Sequence, residues 1–297
     1  MELFLQQTIN AFALGGTYAL LALGLAIVFS IMGMINFAHG ELMTISGYTL
    51  LYCATIGIPF TIAVPLAIAA TVLAAIAMER IAFRPVRDAS PATLLVTSFA
   101  VAMILQTLFQ NLISKRSQPV PLPDVLSQSV AVGDFIVGVN KLLAIAATIF
   151  MLVLLNVALK RSKIGVAMRA AAEDFPITRL MGVRANAVIA GAFALSGLLA
   201  GVAGLLWVSQ RASVDPLMGF TPVLKAFIAS ILGGLGSLTG AVAGGFVLGF
   251  LEIYLTAFLP DSLLEFKEPL GLAIVVALLL WRPNGLIPAV SVRSVHV

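Results

Sequence analysis

The sequence predicts an all-α fold: a polytopic transmembrane helix bundle of about eight to nine spans, with one short helical segment on its cytoplasmic side. Three observations carry this. The 297-residue chain is 61% hydrophobic and 10% charged, whereas a soluble domain is about half apolar and about a quarter charged. Its mean hydropathy is +1.10, an apolar excess too large for one core to hide. Apolar runs near the length needed to cross the hydrocarbon layer recur along the chain. This composition rules out a soluble enzyme. The net charge of +4 is mild and comes without a basic run, so nothing points to nucleic acid. Lone Cys53 excludes an internal disulfide or a multi-cysteine metal site, and two histidines cannot supply a zinc site with its usual partners.

In chain order the apolar runs lie near 11–33, 41–56, 59–79, 93–114, 139–159, 187–209, 223–239, 240–259 and 268–281. Several are short or merge with a neighbour; the first two and 223–259 are the ambiguous pairs. Met1-Glu2-Leu3-Phe4 lacks the basic stretch of a cleavable signal peptide, so the first run is expected to stay as a span. The longest polar stretch, 115–138, alternates Pro119, Pro121 and Pro123, which favours extended backbone over regular helix. It is expected to be an external loop. No domain boundary is visible, and 1–297 is expected to form a single membrane domain.

Cytoplasmic loops hold more Lys and Arg. Placing Lys160, Arg161, Lys163, Arg169, Arg179, Arg184, Arg80, Arg84, Arg87, Arg282 and Arg293 inside accounts for eleven of the 17 basic residues. The other side then receives Lys115, Arg116, Lys141, Arg211, Lys225 and Lys267, together with the acids Glu2, Asp124, Asp134, Asp215, Asp261, Glu265 and Glu268. The bias predicts the N-terminus outside, the C-terminus inside and an odd number of spans. An even number would need a re-entrant segment around 34–42.

Small residues let helices approach closely where lipid offers no hydrophobic drive. Gly236, Gly240 and Gly244 fall four apart, as do Gly245 and Gly249, and Gly197 and Gly201. Such spacing serves tight packing within the chain, a face toward a partner subunit, or a helix break beside a pathway. Charges at membrane depth cost at least ~2.5–3.5 kcal/mol on insertion scales, and few are present. Glu252 is the clearest; it either bonds a neighbouring helix or lines a polar cavity. Asn36, His39 and Glu41 cluster after the first run, suited to a pathway or to anchoring a loop. Gln106, Gln110 and Asn111 share a helix face expected to look into the bundle. None forms a catalytic pair. No phosphate-cradling G-x-x-x-x-G-K-[ST] motif occurs, so the chain is not itself a nucleotide hydrolase. So few intramembrane carboxylates also argue against an ion-driven carrier, and the energy for transport is expected from a separate protein.

The segment 160–184, KRSKIGVAMRAAAEDFPITRLMGVR, is helix-compatible and broken at Pro176, which predicts two short helices with a kink. Val166, Ala170, Ile177, Leu180 and Met181 offer apolar patches, rimmed by Arg169, Glu173, Arg179 and Arg184. Two readings stand: docking into a groove on another protein, or an amphipathic loop lying on the bilayer.

The stretch 165-GVAMRAAAEDFPITRLMGV-183 resembles the coupling loop of membrane subunits from bacterial ABC importers of the branched-chain amino-acid type. The stretches 33-GMINFAHGELMTISGY-48, 233-GGLGSLTGAVAGG-245 and 278-LLLWRPNGLIP-288 are similar to the same family, so the resemblance covers essentially the whole chain. Its N-terminal pattern and length resemble the LivH-type rather than the longer LivM-type permease subunit. The resemblance implies a bacterial inner (plasma) membrane protein that works with a LivM-type permease, two cytoplasmic ATPase subunits and a periplasmic or lipid-anchored substrate-binding protein. It implies that Arg169, Glu173, Asp174, Arg179, Leu180 and Met181 face the ATPase, and that Asn36, His39 and Gly40 form a structural break near the pathway. No cofactor is implied. The substrate class is branched-chain or related amino acids; relatives with this signature also handle urea or short amides. An ion-driven carrier or channel and a membrane enzyme are the competing classes.

Overall fold

The structure, a computed structural model, describes residues 2–132 and 135–288. Asp134 and Arg293, used above in the charge balance, lie outside the described residues. Each apolar run becomes one helix. The chain opens with α1 (Glu2–Met32), α2 (His39–Thr55) and α3 (Phe60–Met78), which a π-turn and a 3-10 turn extend to Val86. After α4 (Pro91–Leu112) come β1 (Gln118–Pro119), the single turn α5 (Asp124–Ser127), β2 (Ser129–Val132) and β3 (Phe135–Gly138). Then follow α6 (Val139–Arg161), α7 (Lys163–Glu173), α8 (Phe175–Leu180), α9 (Ala185–Arg211) and β4 (Ser213–Val214). The chain closes with α10 (Phe220–Gly233), α11 (Leu238–Phe258) and α12 (Lys267–Trp281).

The expected count of eight to nine spans is not confirmed. Among the described residues six helices are long and apolar enough to cross a membrane: α1, α3 with its extension, α4, α6, α9 and α11. The helices α2, α10 and α12 have 17, 14 and 15 residues. At 1.5 Å per residue that is about 26, 21 and 23 Å, short of the ~30 Å hydrocarbon layer. Hydropathy registers apolar length but not whether the backbone is helical throughout. Both ambiguous pairs separate at glycines. Gly33, at φ +64°, closes α1 and donates its N–H to the Phe29 carbonyl at 2.8 Å, a left-handed cap. Gly234 and Gly236, at φ +115° and +82°, divide α10 from α11, whose first turn is capped by the Ser237 hydroxyl accepting from Gly240 N–H at 3.1 Å.

The bundle is two interlocked trios joined along α1 and α9. In one trio α1 packs on α10 and α11; in the other α9 packs on α2 and α3. Each long helix is thus clasped by the two helices that follow the other one in sequence. Small residues allow this. Antiparallel to α1, α11 sets Gly245 on the Ala19 backbone and Gly249 on Gly15. Antiparallel to α3, α9 sets Gly197 on Ala75 and Gly201 on Thr71. At each point an added Cβ would overlap its neighbour, so any larger residue forces the helices apart. Outer helices carry exposed apolar side chains such as Val96, Met103, Phe150 and Leu280, as a surface against lipid requires.

The two ends of the bundle differ. At one, β1 pairs antiparallel with β4, and β2 with β3, so the stretch 115–138 holds extended pairs around a short turn of helix. At the other, α7 and α8 connect the end of α6 to the start of α9. A terminal strap returns to this end: Leu286 and Ile287 donate their N–H groups to the carbonyls of Leu232 and Gly233 at 2.8 and 2.9 Å.

Candidate functional site

Non-helical links precede α2 and α10, and the start of α2 is buried within the bundle. His39, the first residue of α2, lies beside Ser196, the twelfth of the 27 residues of α9. The two helix starts meet at Gly40 and Gly219. A Cβ on either glycine would overlap the other's carbonyl, so only a pair of glycines permits this approach.

Around this junction the three residues singled out in the sequence are all buried, but each faces a different helix. His39 turns to α9, its Nδ1 2.9 Å from the Ser196 hydroxyl. Asn36 turns to α3, its Nδ2 3.8 Å from the Met78 sulfur. Glu41 turns to α4 and accepts a bond from Gln106 Nε2 at 2.8 Å. Among the described residues Asn36 Oδ1, His39 Nε2 and Glu41 Oε2 have no hydrogen-bond partner, a concentration of spare polar capacity in an apolar bundle. Phe37 wedges the link in place, stacked on Phe99 at 4.4 Å and edge-on to Phe227 at 5.3 Å. Of the expected inward face on α4, Gln106 reaches Glu41, Gln110 is half-buried and Asn111 is exposed.

Glu252 does not stand alone. Its Oε1 accepts from Lys225 Nζ at 2.7 Å and its Oε2 from the Tyr18 hydroxyl at 2.8 Å. Glu268 adds a second acceptor to Lys225 at 3.1 Å. Lys225, assigned from sequence to an outer loop, lies within α10 with its side chain 14% exposed. Loop-charge arithmetic missed it; a single lysine inside the apolar stretch 220–233 was the available signal.

At the other end Gly165 sits against the backbone of Ala158 and Leu159 and turns the chain from α6 into α7. Met168 and Ala171 bury one face of α7, with the Met168 methyl against Gly191 of α9. Arg169 donates from Nε to the Leu159 carbonyl at 3.1 Å. Asp174 ends α7 and caps α8, its Oδ1 accepting from Ile177 N–H at 2.9 Å. Glu173, Arg179, Leu180 and Met181 project outward; Leu180 is 85% and Met181 79% exposed. Of the six residues, two shape the segment and four form its outer surface.

The glycines Gly197 and Gly201 contact α3, and Gly240 and Gly244 contact α10. Gly236 lies in the α10–α11 turn at positive φ, not on a helix face. Among the described residues no three His, Cys, Asp or Glu side chains converge as a metal-binding group.

Residues 7–281 match the family described as "Branched-chain amino acid transport system / permease component". The high-affinity branched-chain amino acid transport system permease protein BraD of Pseudomonas aeruginosa is 32% identical, over 98% of both chains. The corresponding protein LivH of Escherichia coli K12 is 33% identical, again over 98% of both. LivM of the same organism is 31% identical over 149 residues, 50% of this chain and 33% of that protein.

Proposed function

Since the chain belongs to the family of branched-chain amino acid transport permease components, we propose that it is the membrane permease subunit of an ATP-driven importer for branched-chain amino acids. The observation that carries this is the full-length match to permeases of that class. The alternatives weighed from sequence are not favoured. An ion-driven carrier needs carboxylates free to bind and release the driving ion, whereas both oxygens of Glu252 are held, by Lys225 and Tyr18.

In this proposal the partner in the membrane is a LivM-type permease, two ATPase subunits bind the end bearing α7 and α8, and a substrate-binding protein delivers the amino acid to the opposite end. The N-terminus lies outside and the C-terminus inside. The outward side chains of Glu173, Arg179, Leu180 and Met181 enter a groove on the ATPase. An exposed apolar pair rimmed by charge suits such docking, and α7, anchored on α9 through Met168, carries the push into the bundle. Asn36, His39 and Glu41 line the break beside the pathway, and the Gly40–Gly219 junction is the point about which the two short helices shift.

The test is purification from the native membrane in mild detergent, with mass spectrometry of what accompanies the chain. Recovery of an ATPase with a phosphate-binding loop and of a second, similar permease is expected. Recovery of this chain alone, together with leucine flux into liposomes without ATP, would overturn the proposal.

A further inference from the structure

A cavity of about 180 Å³ opens at the end of the bundle that bears α7 and α8. Three span ends fix its depth. Ile31 and Met32 close α1, Arg87 and Asp88 follow the Val86 that ends the extension of α3, and Ala185 and Ile189 lie in the first two turns of α9. A further wall comes from α8, where Phe175 and Arg179 line the cavity while Leu180 and Met181 do not; the two lie four residues apart and share a helix face. The cavity therefore sits where apolar helix gives way to polar chain, at the level of the lipid headgroups.

Its positive charge is uncompensated. Arg87 has five N–H donors, and one goes to the neutral Asn186 Oδ1 at 2.6 Å, which holds the guanidinium in place without cancelling its charge. Asp88 approaches Arg87 Nε only to 3.9 Å with its side chain 97% exposed, so the pair is long for a hydrogen bond and screened by water. Arg179 has no carboxylate within 4.0 Å among the described residues. The positive end of the α9 dipole adds to the two guanidiniums: no side chain caps its first turn, and Ala185 of that turn lines the cavity.

We propose that this cavity holds the phosphate of an anionic phospholipid from the leaflet at that end. Arg87 and Arg179 take the phosphate oxygens, which planar forks of N–H donors match, and the first carbons of the lipid lie against Ile31, Met32 and Phe175. Two guanidiniums against one solvated carboxylate favour a ligand of net negative charge. The cavity is smaller than the ~300 Å³ of ordinary small-molecule sites, and it suits a phosphate with its neighbouring atoms better than a whole metabolite. Apolar walls at a span boundary fit an amphiphile whose chains continue into the bilayer, and basic pockets between membrane helices bind such headgroups. Free inorganic phosphate shares the oxyanion chemistry but has nothing to set against the apolar wall. With Arg87 beyond α3 and Arg179 on α8, the bound headgroup bridges those two elements. The inference does not rest on the transport proposal, since its readout is lipid retained by the chain and not uptake.

The test uses the full chain in nanodiscs of phosphatidylcholine carrying a small share of phosphatidylglycerol, with retained lipid read by native mass spectrometry. A parallel arm offers labelled inorganic phosphate in phosphatidylcholine alone. Phosphatidylglycerol is expected to be retained in preference to phosphatidylcholine, and Arg87→Gln/Arg179→Gln to weaken its retention at least about tenfold. Ala185→Phe, which narrows the cavity at unchanged charge, is expected to do the same and decides the matter if the double variant fails to fold. Arg84 is exposed, three residues before Arg87, and does not line the cavity; Arg84→Gln should leave retention unaltered. Saturable binding of inorganic phosphate without preference for phosphatidylglycerol would overturn the lipid in favour of the free ion. No preference for either, or an equal loss from Arg84→Gln, would overturn the site itself.

Discussion

Gly40 and Gly219 meet backbone to backbone, each occupying the space that the other's side chain would need. They lie 179 positions apart in the chain, Gly40 in the first turn of α2 and Gly219 immediately before α10. Gly219→Ala is expected to destabilise the protein by about 1–3 kcal/mol, the usual cost of overpacking. A lower melting temperature in detergent checks this; an unchanged one would mean the two helix starts are not in contact.

The Lys225–Glu252 pair gives a signed expectation. Removing one member of a fully buried pair costs roughly 3–5 kcal/mol. The cost here is expected to be smaller, because Glu252 is 25% exposed and keeps its bond from Tyr18. Lys225→Met should therefore lower thermal stability, and adding Glu252→Gln to it should recover part of the loss. A double variant as unstable as the sum of the singles would show that the charges do not interact.

On the α4 side, Gln106→Ala leaves both Glu41 oxygens without a protein donor. It is expected to cost about 1–3 kcal/mol, measured by thermal unfolding. Glu41→Gln still offers Gln106 an acceptor and should cost less. The reverse order would exclude the Glu41–Gln106 bond as the stabilising contact.

At the α7–α8 end the expectations are functional. Glu173→Arg should abolish leucine uptake while leaving membrane insertion intact, and Leu180→Glu should release the ATPase during purification. Full uptake by the first variant would remove the segment from the coupling role.

Asp174→Ala tests the architecture of that segment separately. Loss of an N-cap costs about 1 kcal/mol, so hydrogen exchange in α8 should quicken while α7, packed on α9, stays protected. Unaltered exchange in α8 would show that the cap contributes nothing.

Local features were legible in the sequence. Apolar length marked every long helix, and Pro176 marked the boundary between α7 and α8, where Asp174 supplies the cap. Non-local features were not. That the starts of α2 and α10 meet depends on Gly40 finding Gly219, and no window of sequence contains both. Glu252 was visible as a costly charge, but its partners Lys225 and Tyr18 sit on other helices, so the charge was legible and its compensation was not. Gly236 fell into register with Gly240 and Gly244 by spacing alone; its positive φ places it in a turn that spacing cannot reveal.

The interlocking of the two trios bears on how the chain is made. α1 precedes the other described helices in the chain, yet it is clasped by α9, α10 and α11 and packs little on α2. During synthesis the face of α1 that carries Gly15 and Ala19 therefore has no lasting partner until α11 has followed. Its own apolar character must hold it in the bilayer meanwhile, and the Gly245–Ala19 and Gly249–Gly15 contacts close late. A chain stalled before α11 would present this face to whatever else the membrane offers, which makes the unfinished protein a natural client for quality-control proteases.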